Sequence, residues 1–171
     1  MRPAQSLACK DGAMTTASIE VSRLIEAEPA AIFSLLCSPE GHVAIDASGM
    51  LMAATGEAVK AVGDSFVVHM DRESLGDYPL GRYDVTVLIT SFAQDLEIAW
   101  TITGSLKPDI GHVYGYRLEA VEVGTLVTSF YDWSNIHPDW KEADIFPIIS
   151  ELALKATLGI LARQVQAARA N

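Results

Sequence analysis

Hydrophobic and polar positions follow two periods along this chain. Residues 17–27 (ASIEVSRLIEA) alternate through Ile19 and Val21, which predicts a first β-strand. Pro29 then opens a helical pattern, with Glu28 placing a carboxylate at its positive end and Ile32, Phe33, Leu35 and Leu36 at helical spacing. Ser38-Pro39 ends that helix, and Ser38 can cap a second short one running over PEGHVAID towards Asp46 and Gly49. From Met50 to Asn135 the period becomes two. MLMAATGEA and SFVVHMDR flank a Gly-Asp turn, RYDVTVLITSF and DLEIAWTITG flank Ala93-Gln94, and HVYGYRLEAV and TLVTSFYDWS flank Val123-Gly124. Six strands joined by short turns predict an antiparallel meander. The stretch from Ala143 to Arg169 returns to helical spacing, with Pro147 in its first turn, and is too apolar to lie free in water.

The order is strand, two short helices, six strands, long helix. This is an α+β layout in which seven strands curl around the closing helix and bury its apolar stripe. At 171 residues, half of them apolar, the chain suits one domain over 17–171, large enough to remove about 70% of its unfolded surface from water. Residues 1–16 lack periodicity and precede or include Met14, a natural start, so they read as a disordered or vector-like leader.

Charge and composition exclude several classes of function. A formal net charge of −10, without a local Lys/Arg cluster, repels phosphate backbones and anionic lipid headgroups, so neither nucleic acid nor membrane insertion is expected. No apolar run approaches the ~20 residues of a membrane span, and the N-terminus lacks a secretion-signal layout, which points to the cytoplasm. Cys9 and Cys37 are too far apart for a metal-ligand spacing, and Cys37 reads as a small buried apolar residue. HExxH, GxSxG and phosphate-cradling glycine loops are all missing from the sequence, so no metal or cofactor is expected.

Three stretches, IEVSRLIEAEPAAIFSLLCSPEGHVAIDASG at the start, VGDSF at 62–66 and GTLVTSFYDWS at 124–134, resemble the START-like or SRPBCC helix-grip superfamily, in its polyketide cyclase/dehydrase-like branch. The resemblance runs from about Ser18 to Val165. It implies a curved sheet and a C-terminal helix enclosing a deep cavity for lipophilic ligands, in a family of carriers, cyclases, receptors and chaperone-associated modules. Fold and reaction are separable, so the site has to be argued from residues.

Strand alternation supplies candidates for the lining. Leu96, Ile98, Trp100 and Ile102 are expected to face inward, as are Phe66, Val68 and Met70, then Tyr83, Val85, Val87 and Ile89, then Tyr114, Tyr116 and Leu118. The last strand is ambiguous by pattern. The family's usual register implies that Thr125, Val127, Ser129, Tyr131 and Trp133 point in, with Leu126, Phe130 and Asp132 out. Tyr131 and Trp133 then make an amphipathic wall, while Asp132 and His137 fall on different faces and form no dyad. Ile149 and the small residues Ala153, Ala156 and Gly159 of the closing helix are placed against the inner sheet face, either for close approach or to leave room for a ligand.

The expected occupant is an aromatic, polycyclic or lipid-like small molecule, held by a carrier or sensor. The enzymatic alternative is a cofactor-independent cyclase or dehydratase. It would use Asp46 as an acid with raised pKa, together with Tyr131 and Tyr83, or Arg117 if the sixth strand runs in the opposite register. Asp46 is equally read as a turn aspartate, and His42, His69 and His112 as solvated surface. A third alternative is a ligand-free interaction module, or a homodimer, built on Leu88, Phe92, Leu126 and Phe130 of the outer face.

Overall fold

The computed structural model describes residues 16–170. The expected leader therefore falls, apart from position 16, outside the described residues, and Cys9 with it. Strand β1 (Ser18–Ile25) is followed by helices α1 (Pro29–Cys37) and α2 (Pro39–Ala44). Six strands follow: β2 (Leu51–Thr55), β3 (Ser65–Asp71), β4 (Arg82–Ala93), β5 (Glu97–Thr103), β6 (Val113–Val121) and β7 (Gly124–Asp132). A short helix α3 (Pro138–Lys141) then leads to the closing helix α4 (Glu151–Arg169). The strands form one antiparallel sheet in the order β1-β7-β6-β5-β4-β3-β2. This is an α+β helix-grip architecture.

The two short helices follow from local chemistry. Each has Pro at its start, where the missing N–H costs nothing. Ser38 ends α1 and caps α2, its hydroxyl accepting from the Gly41 amide at 3.2 Å. A Cβ at Gly41 would lie 1.9 Å from the Leu35 carbonyl oxygen, so only glycine lets α2 fold back this closely on α1.

Helix α4 lies in the hollow of the sheet. Leu154, Leu158, Leu161 and Val165 recur at helical spacing and join one core with Val68, Val87, Ile98, Leu118 and Val127 from the inner face. Burial on β7 alternates without a break, with Thr125, Val127, Ser129 and Tyr131 inward.

Several sequence-based expectations need correction. Helix α4 begins at Glu151 rather than near Ala143, because Pro147 disfavours a helical conformation at Phe146 and Ser150 supplies the cap, accepting from the Ala153 amide at 3.1 Å. The small residues of α4 form no inner stripe. Steps of three drift around a helix of 3.6 residues per turn, so Ala156 is exposed and Gly159 lies near Arg23 of β1. Leu96 sits in the β4–β5 turn and is exposed. A β-bulge between Ile89 and Ser91 reverses the facing of the residues beyond it. Phe92 therefore points inward, its ring meeting Phe33 of α1 edge-on at 5.3 Å, and leaves the proposed outer patch.

The rest of that patch is modest. Phe130 lies over Gly115, where a Cβ would come within 2.3 Å of the ring, and Arg117 covers its face at 4.9 Å while pairing with Glu20. Leu88 and Leu126 are half-buried. Among the described residues, no helix is long and apolar enough to cross a membrane.

Candidate functional site

The hollow is not filled along its whole length. At the end nearest α1, Phe33, Ile32, Leu36 and Ile98 pack without exposure or nearly so, with the partly buried Phe92 against them. Beside α2 and the first turns of α4, a cavity of about 210 Å³ remains. Of the residues expected to line it, Val68, Val85, Val87, Trp100, Tyr116, Ile149, Ala153 and Asp46 do. Phe66 is buried in the core next to it, its ring edge against His42. Tyr83 instead lines a second hollow of about 140 Å³, which shares Val85 and Ile102 with the first. Tyr131, Trp133 and Ala156 line neither.

Tyr131 is wholly buried within an aromatic stack. Its ring lies 4.7 Å from Tyr114 and 5.2 Å from Trp133, and its hydroxyl bonds Nδ1 of His112 at 3.1 Å. Burial pushes the hydroxyls of Tyr131 and Tyr114 well above the usual tyrosine range, and pushes His112 down to about 4. His112 is thus a buried neutral group rather than a solvated one, which corrects its reading as surface. Alternation carried the signal, because 112, 114 and 116 share a strand face.

Asp46 acts as a turn aspartate. One carboxylate oxygen accepts from the Ser48 amide at 2.9 Å and hydroxyl at 2.6 Å, and the other from the Leu51 amide at 3.1 Å. These bonds fix the entry into β2 and leave little acceptor capacity for chemistry in the cavity.

His42 is the residue that sequence reasoning missed, and its reading as surface is also corrected. It is 6% exposed, lines the 210 Å³ cavity, and packs edge-on against Phe66 at 4.8 Å and Trp100 at 4.7 Å. Nε2 lies 2.9 Å from the Leu36 carbonyl oxygen. A carbonyl only accepts, so Nε2 carries the proton and Nδ1 is left as a bare acceptor. Burial, opposed only in part by the Leu36 bond, pushes the imidazole down to about 4. Its three-residue spacing from Ile45 was the available signal, since both then share one face of α2.

The opening of the last connection is structural. Asp132 accepts from the Ser134 amide at 2.7 Å, His137 caps α3 by accepting from the Asp139 amide at 3.2 Å, and the Trp140 indole donates to the Pro108 carbonyl at 2.8 Å. His69 stands on the outer face between Thr55 at 2.8 Å and Asp84 at 2.7 Å, as its expected outward position requires. Cys37 is buried and its thiol is pushed up to about 11, first by desolvation and then by Asp95, so it stays protonated and inert. Among the described residues, no group of three His, Cys, Asp or Glu side chains could hold a metal ion.

No family model matches this chain, and no curated protein matches it. Solved structures do. A protein of Rhodobacter sphaeroides superposes with a TM-score of 0.63 at 17% identity, over 88% of this chain and 93% of its own. Protein Ms6760 of Mycobacterium smegmatis gives 0.62 at 12% identity, over 90% and 93%. The AHSA1-like protein of Aeromonas hydrophila gives 0.58 at 18% identity, over 90% and 95%. At such identities the likeness is one of fold alone.

Proposed function

We propose that this protein binds a small hydrophobic molecule between the sheet and α4, as a carrier or sensor. The observation that carries this reading is the cavity of about 210 Å³, walled mainly by apolar side chains from β3 to β6, α2 and α4. Its size sets the scale of the ligand. An apolar cavity of roughly 150 Å³ holds benzene, whereas drug-sized ligands need about 300 Å³ or more. The space inside therefore suits a group of about two fused rings.

Catalysis has less support. Asp46 spends its oxygens on the β2 turn. His42, with a pKa near 4, is a weak base at neutral pH, and a general base works best with a pKa near the operating pH.

The test is a titration with naphthalene followed by backbone amide shifts. Changes are expected at Val68, Val87, Trp100 and Ala153, and should vanish in Ala153→Leu, which fills the space. Unchanged binding by that variant would contradict the reading.

A further inference from the structure

One polar atom beside the cavity is bonded to no group described in the protein. Among the described residues, every buried side-chain nitrogen and oxygen has a hydrogen-bond partner. Nδ1 of His42 takes no part in the ring's bond to Leu36, so on a residue that is 6% exposed this atom is not sealed in. The nitrogen therefore keeps contact with open space, and His42 borders the cavity. Nothing about the ring is free to adjust. Nε2 is held by the Leu36 carbonyl, α2 is locked on α1 through Gly41, and Phe66 and Trp100 press on the ring edge-on. The bare lone pair is thus fixed in place before any ligand arrives, and preorganisation of this kind favours affinity.

An occupant that is entirely apolar would seal that lone pair away from water without a partner. Leaving a buried acceptor unsatisfied costs more than a typical hydrogen bond contributes, so the site discriminates against such a ligand. A charged donor fits less well, because the mainly apolar walls solvate an ammonium poorly and the Asp46 carboxylate at the cavity is already bonded to Ser48 and Leu51. The remaining class is a neutral donor. Among neutral donors a hydroxyl fits best, since it accepts as well as donates, and Tyr116 and Ser129, which also carry hydroxyls, line the same cavity.

We propose that the ligand is a hydroxylated hydrophobe of about two rings, a phenol or alcohol, whose hydroxyl donates to Nδ1 of His42. This rests on the small-molecule reading above and adds the polar group that the cavity selects. The specificity follows the rule that a site built to bond a hydroxyl rejects the analogue lacking it.

Two probes that differ by one hydroxyl separate the outcomes, naphthalene and 2-naphthol, titrated calorimetrically into the full chain and into His42→Phe. The wild type should bind 2-naphthol about tenfold more tightly than naphthalene, as one well-placed hydrogen bond provides, and the ratio should collapse in the variant. A second readout needs no variant: the nitrogen resonance of His42 Nδ1 should move on adding 2-naphthol and stay in place with naphthalene. Equal affinities, with a silent Nδ1, would overturn the hydroxyl proposal while leaving the cavity reading intact. Failure of both probes to bind would overturn both.

Discussion

The two halves of the concave face are made of the same kinds of elements and end differently. Under α1 and the later turns of α4, large side chains interdigitate: Phe33 meets Phe92, and Ile98, Leu118, Val127 and Leu161 fill the layer between. Under α2 and the first turns of α4, the helix presents Ala153 and Thr157, four residues apart and so on one face, and the sheet opposite is left with room. One end of the grip is a core and the other is a container. The difference comes from side-chain volume, since the strands run continuously through both halves. The bulge in β4 is part of the same division, because it turns Phe92 into the solid end.

This comparison can be broken most easily in the solid half. Phe33→Ala should destabilise the protein by about 3–5 kcal/mol, read by urea denaturation, because its site is sealed and cannot collapse. A loss below about 1 kcal/mol would mean that this end is no better packed than the other.

Acid sharpens the comparison next, since the cavity and the smaller hollow beside it are each lined by one neutral buried histidine. His42 and His112 both have pKa values of about 4 in the fold, below the ordinary 6.5. Between those values the unfolded chain binds protons that the native state refuses, so stability is full above pH 6.5 and falls as pH drops towards 4. Each histidine accounts for roughly 3 kcal/mol over that window. Replacing either with Phe should flatten its share of the slope, and an unchanged pH profile for both variants would contradict their burial as neutral rings.

A smaller contrast uses one helix and one substitution. Ala162 is buried in the solid half and Ala153 lines the hollow half. Ala162→Leu should cost about 1–3 kcal/mol through overpacking, while Ala153→Leu should stay within about 1 kcal/mol of wild type because it grows into open space. Equal losses would remove the distinction. The smallest effect is expected at the wall of the container. Asp46→Asn keeps one acceptor oxygen and should cost about 1 kcal/mol, measured by thermal melting.

Much of this layout was legible in the chain, for physical reasons that differ by element. The strands were readable where one face is buried and the period of two shows in the residue types, as with Phe66 and Val68 on β3, whereas β7 alternates in burial but not clearly in sequence. The helix-ending Ser38 and the turn role available to Asp46 were readable because capping is local chemistry. The facing of Phe92 was not, since a bulge adds one residue without leaving a mark in the hydrophobic pattern. The start of α4 was misjudged because apolar spacing continues through Ile145 and Phe146, and only Pro147 with the Ser150 cap decides against a helix there. His42 was missed because its burial depends on how closely α2 returns to α1, a tertiary matter settled at Gly41. Tyr131 and Trp133 were placed on the inner side of the sheet only by the register that the family resemblance implies, and a register does not tell a filled interior from an empty one.

Crystals of the protein pressurised with xenon test the division most directly, because xenon enters dry apolar cavities and nothing else of this size. The account predicts electron density for xenon between His42, Trp100, Val87 and Ala153, and none among Phe33, Phe92 and Leu161. Density beneath α1, or none in the hollow half, would contradict it.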